Sequence, residues 1–166
     1  MNSLKKYSIL GAFFVMILGT FAHFLYDWTN KNAIVGLFTP TNESTWEHMK
    51  LVYFPMLLFA AYMIKKYKEA YPCITSAFLS AILAGTWIVP ILFYTYTGIF
   101  GISIMFVDIS IFFISVIIAV YIAYRLTLSC KMEKYTNMLY VLVGVMFMFF
   151  LTFTIFTPDI ALFKEP

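Results

Sequence analysis

A short polar segment contains most of the residues in this sequence that could carry out chemistry. It reads Asn42-Glu-Ser-Thr-Trp-Glu-His48 and is followed closely by Lys50. Histidine and carboxylate side chains are the usual ligands of zinc in a mixed nitrogen and oxygen site, and a bound divalent ion can supply a hydroxide near neutral pH. Glu47 and His48 are therefore candidate catalytic residues. Glu43 and Glu47 lie one helical turn apart and are candidate metal ligands.

Two further ionisable residues lie within hydrophobic sequence. His23 is about one turn before the end of the first hydrophobic segment, and Asp108 is about two turns into the fourth. An ionisable group at such depth in a membrane is unfavourable unless it is paired or hydrated, so both should face the interior of a bundle. The predicted ligands of a divalent metal such as zinc are His23, Glu43, Glu47 and Asp108. Alternatively, Asp108 makes a helix–helix hydrogen bond, and the glutamates only stabilise a helix N-terminus.

Polar and aromatic side chains at the same level could bind a small ligand. Phenols donate hydrogen bonds to an oxygen-rich ligand, and aromatic faces together with carboxylates can hold a cation. The candidate ligand-binding residues are Asp27, Asn42, Trp46, Lys50, Tyr94 and Tyr96. In the alternative interpretation the tyrosines are interfacial anchors, and Asp27 pairs with Lys31 at the surface.

The elements that must position these residues are hydrophobic helices. The chain has 166 residues, of which 63% are hydrophobic and 11% charged, whereas a soluble domain has about 25% charged residues. Five stretches approach the roughly 20 residues that cross a bilayer, and they cover about 7–26, 42–64, 73–96, 102–124 and 138–156. None alternates with a period of two, which disfavours a barrel. The sequence predicts one all-α integral membrane domain over residues 1–166 and no nucleic-acid binding.

The basic residues predict the orientation of these helices. Eight of the eleven lie before the first segment, between the second and third, or between the fourth and fifth: Lys5, Lys6, Lys65, Lys66, Lys68, Arg125, Lys131 and Lys134. Cytoplasmic loops carry such an excess, so the N-terminus should lie inside and, with five spans, the C-terminus outside. Cys73 and Cys130 then fall near cytoplasmic helix ends, where thiols stay reduced, and no disulfide is expected.

Several motifs resemble those of a known family. The string Pro40-Thr-Asn-Glu-Ser-Thr-Trp-Glu-His-Met-Lys50 is similar to the signature of a family of small bacterial membrane proteins of unknown function. The segments 23–28, 93–101 and 158–166 and the dipeptide Asp108-Ile also resemble that family, although the tail differs from its pattern at Ala161 and Glu165. The resemblance implies a multi-pass protein of the bacterial cytoplasmic membrane and implies no particular activity.

Three functions remain open from the sequence. The first is a metal-dependent hydrolase or transferase acting on a lipid or another substrate close to the membrane. The second is a membrane subunit that binds a small polar or cationic ligand or takes part in its transport. Such a subunit would work as a homo-oligomer or within a membrane complex. The third is a structural or accessory membrane protein. Convergence of His23, Glu43, Glu47 and Asp108 on one centre would favour the first two.

Overall fold

The computed structural model describes residues 3–165, and the described residues form helices without a strand. The helices are α1 (Ser3–Trp28), α2 (Ala33–Gly36), α3 (Thr45–Tyr67), α4 (Ile74–Phe100), α5 (Met105–Ser129) and α6 (Thr136–Ile155). Single 3-10 turns cover Glu133–Tyr135 and Ala161–Phe163. The predicted all-α helical bundle is confirmed, with each long helix within a few residues of a predicted segment.

Within residues 3–165, four helices are long and apolar enough to cross a membrane, namely α1, α4, α5 and α6 with its preceding turn. They confirm a multi-pass membrane protein. The predicted second span corresponds to α3, whose 23 residues extend about 35 Å but include Glu47, Lys50 and two terminal lysines. Because α3 packs between α1 and α4 and buries most of its residues, it has little contact with surrounding lipid. Its role as a fifth span, and the orientation of the termini, stay predictions.

Small residues allow the helices to pack closely. A Cβ atom added at Gly85 of α4 would lie 2.6 Å from the Cβ of Ala119 of α5. At Gly19 of α1, an added Cβ would lie 2.7 Å from the backbone oxygen of Leu51 of α3 and 2.6 Å from the ring of Phe112. Lipid-embedded helices gain their attraction mainly from packing, so glycine and alanine at crossing points bring the backbones together. These crossings hold α1, α3, α4 and α5 around a cavity that all four helices line.

Enlarging Gly85 should separate α4 from α5. We expect Gly85→Ala to destabilise the protein by roughly 1–3 kcal/mol, because the new methyl group overlaps a fixed Cβ and not the flexible end of a side chain. Thermal unfolding in detergent would measure this as a lower midpoint. Gly144→Ala is the matched control, since a Cβ at Gly144 of α6 has no neighbour within 4 Å among the described residues. An equal loss in both variants would contradict the packing argument.

The expectation that the two cysteines stay unpaired is wrong. Cys73 and Cys130 form a disulfide, with their Cα atoms 5.2 Å apart. Cys73 precedes the first residue of α4, and Cys130 follows the last residue of α5. The short connection between α4 and α5 makes them antiparallel neighbours, so residues 57 positions apart in sequence meet at one end. The prediction relied on the lysines near these helix ends, which indicated a cytoplasmic side where thiols stay reduced. The spacing of the two cysteines in the sequence gave no sign that they pair.

Candidate metal centre

Two of the predicted metal ligands, His23 and Glu43, converge with the candidate catalytic residue His48 at the end of the bundle opposite the Lys-rich loops. The Nε2 atom of His48 lies 3.4 Å from Oε2 of Glu43, and Nε2 of His23 lies 3.8 Å from the same oxygen. One ligand atom from each residue lies within 4.8 Å of the other two. Tetrahedral zinc, with bonds of about 2.0–2.1 Å, holds its ligand atoms roughly 3.3 Å apart. Small side-chain rotations would therefore bring all three groups onto one ion.

The segment before α3 places two of these ligands. Ser44 is the N-cap of α3, and its hydroxyl accepts a hydrogen bond from the backbone N–H of Glu47 at 3.4 Å. The side-chain oxygen of Asn42 accepts from the backbone N–H of Ser44 at 2.9 Å. These two local bonds fix the backbone on both sides of Glu43. His48 follows in the first turn of α3, while His23 comes from the last turns of α1.

His48 is oriented by the backbone. Its Nδ1 lies 3.0 Å from the carbonyl oxygen of Ser44. A carbonyl only accepts, so Nδ1 carries a proton and donates it, which leaves Nε2 directed at Glu43. Metal-binding histidines commonly donate their second ring N–H to a carbonyl or carboxylate in this way. The bare Nε2 of a neutral His48 and the carboxylate of Glu43 would repel each other, so a proton or a cation must lie between them.

The two histidines favour the ionised form of Glu43. The hydrogen bond from His48 lowers the pKa of the Glu43 carboxyl, and the nearby charges of His48 and His23 act in the same direction. Partial burial opposes this effect and is weaker than the hydrogen bond. A carboxyl with a lowered pKa is a carboxylate at neutral pH, which is the form that binds metal.

A cavity of about 620 Å³ lies beside the cluster. His23, Glu43 and His48 line it, and Asp108 of α5 lines it as well. Asp108 accepts a hydrogen bond from the hydroxyl of Tyr96, and that hydroxyl accepts one from the backbone N–H of Ile104 at 3.0 Å. Asp108 is thus held in the cavity wall and does not belong to the three-residue group.

Glu47 and Lys50 occupy a different place from the cluster. Both are buried, and Nζ of Lys50 lies 2.7 Å from Oε2 of Glu47. The same carboxylate oxygen accepts hydrogen bonds from the N–H and hydroxyl of Thr41 at 2.9 and 3.1 Å. Lys50 also donates to the carbonyl of Gly36 and the hydroxyl of Thr154, at 2.9 and 2.6 Å. The ion pair therefore joins α3 to α6 and to the loop that carries Glu43.

Trp46 anchors the C-terminal segment against α3. Its buried ring packs on Phe150 of α6 and on Phe163 of the final 3-10 turn, with ring centroids 4.8 and 4.9 Å apart. Beyond that turn, a carboxylate oxygen of Glu165 lies 3.4 Å from the backbone nitrogen of Glu43, which donates to it. Trp46 thus stabilises the surroundings of the cluster and does not line the cavity.

The remaining predicted ligand-binding residues lie apart from the cluster. Asp27 is exposed near the end of α1, and Tyr94 is 40% exposed near the end of α4. The described lining of the cavity includes neither of them. Asn42 acts on the backbone of the loop, as given above, and Tyr96 acts through Asp108.

Sequence reasoning did not identify the apolar wall of the cavity. Phe24, Leu51, Phe112 and Phe113 line it. Residues three or four positions apart share a helix face. Leu51 follows His48 by three residues and Phe112 follows Asp108 by four, so this spacing could have identified both as neighbours of the site.

A family model matches the whole chain, over residues 1–166, and it describes a family of unknown function. This confirms the resemblance to an uncharacterised family. No curated protein and no solved structure matches the chain. The comparisons therefore assign no activity to the chain.

Proposed function

The chain belongs to that family, DUF6512, and we propose that it is a metal-dependent membrane hydrolase whose His23, Glu43 and His48 bind a divalent cation. The observation that carries this proposal is the geometry of His48. Its Nδ1 is bonded to a backbone carbonyl, while its Nε2 faces the carboxylate of Glu43 at 3.4 Å. A second histidine faces the same oxygen at 3.8 Å. A cation satisfies all three groups at once.

Zinc suits this set of ligands best. Two histidines and one carboxylate are a known catalytic combination, in which the fourth position of the tetrahedron is left for water. Here the fourth position would be on the side of the cavity, because all three ligands line it. A bound zinc ion lowers the pKa of its water to about 7 and so supplies hydroxide near neutral pH.

Asp108 is our candidate for the general base. It lines the cavity with the three ligands, and Tyr96 restrains its carboxylate by a hydrogen bond. A carboxylate held beside a metal-bound water can accept its proton and later return it to a leaving group. Glu47 takes no such role in this proposal, because its acceptor oxygen is bonded to Lys50 and Thr41.

The charge distribution and the family resemblance support a location for this chemistry. We propose that the N-terminus lies inside a bacterial cytoplasmic membrane and that the cluster lies at its outer face, away from the Lys-rich loops. The site would then act on substrates in the outer leaflet or at its surface.

Metal binding tests the proposal directly. Protein stripped with a chelator and kept in detergent should bind one Zn²⁺ per chain, with a dissociation constant of about 1 μM or lower, measured by titration calorimetry. The affinity should fall as the pH is lowered, because the histidines must lose their protons to bind metal. Zinc should also restore release of fatty acid or headgroup from vesicle lipids.

Folded protein that binds no Zn²⁺, Mn²⁺ or Co²⁺ would refute the metal centre. His48 would then be the protonated partner of Glu43, and the ligand-binding or accessory functions would take precedence. Zinc binding without hydrolysis of any lipid class would retain the metal site and remove the hydrolase.

A further inference from the structure

The cavity beside the cluster changes from polar to apolar with depth. Glu43 and Thr45 lie near its outer end, where the loop enters α3. Leu51, six residues beyond Thr45 on α3, and Val89 and Phe112 form its inner part. Thr20 also lies at that inner level, but its hydroxyl donates to the carbonyl of Met16 at 2.8 Å. The inner part therefore presents an almost wholly apolar surface.

The cavity also has a wall that lies at the periphery of the helical bundle. Phe24 of α1 and Ile109 and Phe113 of α5 line the cavity, yet they are 47%, 48% and 37% exposed. Both helices are candidate membrane spans. In a bilayer these side chains would contact hydrocarbon on one side and the cavity on the other, so this wall separates the cavity from lipid by single side chains.

We propose that this cavity binds one acyl chain of a membrane glycerophospholipid and places the ester of that chain beside His23, Glu43 and His48. The inference rests on the proposed function, because it names the substrate of the same site. The residues of α5 that line the cavity extend from Met105 to Phe113, about 12 Å along the helix axis. That depth accommodates a substantial part of a lipid tail, while the lipid headgroup stays at the membrane surface.

The volume and polarity of the cavity agree with this ligand. Its volume of about 620 Å³ lies within the roughly 300–1,000 Å³ that encloses ligands of drug size. A small water-soluble ligand would leave the inner apolar surface without a partner, whereas a hydrocarbon tail covers it. The polar groups needed for ester chemistry stand only at the outer end, where the first carbons of a bound tail would be.

The reaction for this substrate is ester hydrolysis. The oxygen of water forms a bond to the carbonyl carbon, and the bond between that carbon and the glycerol oxygen breaks. One proton of the water goes to the glycerol oxygen, and the other is released when the fatty acid ionises. The products are a lysophospholipid and a fatty acid.

Photolabelling tests the acyl-chain site. The full-length protein would be reconstituted into vesicles of phosphatidylethanolamine and phosphatidylglycerol that contain a phosphatidylglycerol with a diazirine in one acyl chain. After illumination, peptide mass spectrometry should place the label on the cavity-facing parts of α1 and α5. Ile109→Trp, which fills the cavity, should reduce that labelling roughly tenfold, equivalent to a tenfold loss of occupancy.

The matched control is Ile117→Trp. Ile117 is on α5, 54% exposed, and outside the described lining of the cavity, so this variant should label as wild type does. Phe113→Trp replaces Ile109→Trp if the latter does not fold. Labelling that is the same in the cavity-filling and control variants would overturn the proposal, because it would show only lipid around the protein.

The same experiment separates this inference from the metal centre. His48→Ala should lose zinc but keep the cavity labelling, because the apolar wall is unchanged. If the protein binds no zinc and yet the label disappears in Ile109→Trp, the acyl-chain site stands and the hydrolase does not. If zinc binds but the labelling is the same in Ile109→Trp as in wild type, the metal centre stands and its substrate is not held by an acyl chain.

Discussion

Replacing His48 with alanine should weaken Zn²⁺ binding by about 100-fold or more, because loss of an oriented ligand exceeds the 10–100-fold effect of losing an outer-shell partner. The variant removes Nε2, which faces Glu43, and the Nδ1 bond to Ser44. The measurement is titration calorimetry with Zn²⁺ on chelator-treated protein, beside thermal unfolding to show that the fold persists. His23→Ala and Glu43→Gln should show the same loss.

Two controls make this result specific to the cluster. Asp27→Asn changes an exposed carboxylate one turn from His23 and should leave zinc affinity unchanged. Asp108→Asn should keep zinc while turnover falls by about 10²–10⁴, the usual contribution of a general base. If Asp108→Asn instead loses zinc as His48→Ala does, Asp108 is a metal ligand, as the sequence had indicated. If Asp27→Asn loses zinc as well, the binding is non-specific.

Replacing Lys50 with methionine should destabilise the fold by about 3–5 kcal/mol, because it leaves the buried carboxylate of Glu47 without its cation. Both side chains are at most 3% exposed, so water cannot replace the lost partner. For a chain of this length, that corresponds to a decrease in melting temperature of roughly 6–20 °C. Thermal unfolding in detergent would measure it.

The double variant Glu47→Gln with Lys50→Met separates the charge from the packing. It should be more stable than Lys50→Met alone, because no unpaired charge remains and the amide oxygen can still accept from Thr41. Lys65→Met is the surface control on the same helix and should unfold as wild type does, since Lys65 is exposed. Similar losses for Lys50→Met and Lys65→Met would contradict the buried-pair argument.

The Lys50 pair also bears on the metal centre. It contacts Gly36 and Thr41, which precede Glu43, and it ties them to Thr154 of α6. The double variant should therefore bind zinc more weakly than wild type even where it is folded. A weaker zinc affinity in the folded double variant would identify Glu47 and Lys50 as positioning residues for Glu43.

Much of the fold could be predicted because its cause is local in sequence. Long apolar segments must form helices where no water can satisfy the backbone, so the helical bundle follows from composition and length. The start of α3 also follows from local chemistry, because Asn42 and Ser44 satisfy backbone groups within three residues of themselves. The same segment boundaries predicted that four polar residues lie at the same end of the bundle, namely His23, Glu43, His48 and Asp108.

Only the tertiary structure decided which of these residues meet. Glu47 and His48 are adjacent and point about 100° apart on α3, so one joins Lys50 in the interior and the other joins the cluster. The disulfide between Cys73 and Cys130 and the apolar cavity likewise depend on how α4 and α5 pack. The sequence by itself determined a helical membrane protein with many of its polar residues gathered at one end, because hydrophobicity and capping act locally. Helix rotation and pairing are set by contacts between distant segments, so the cluster, the ion pair and the cavity emerged only from the packed structure.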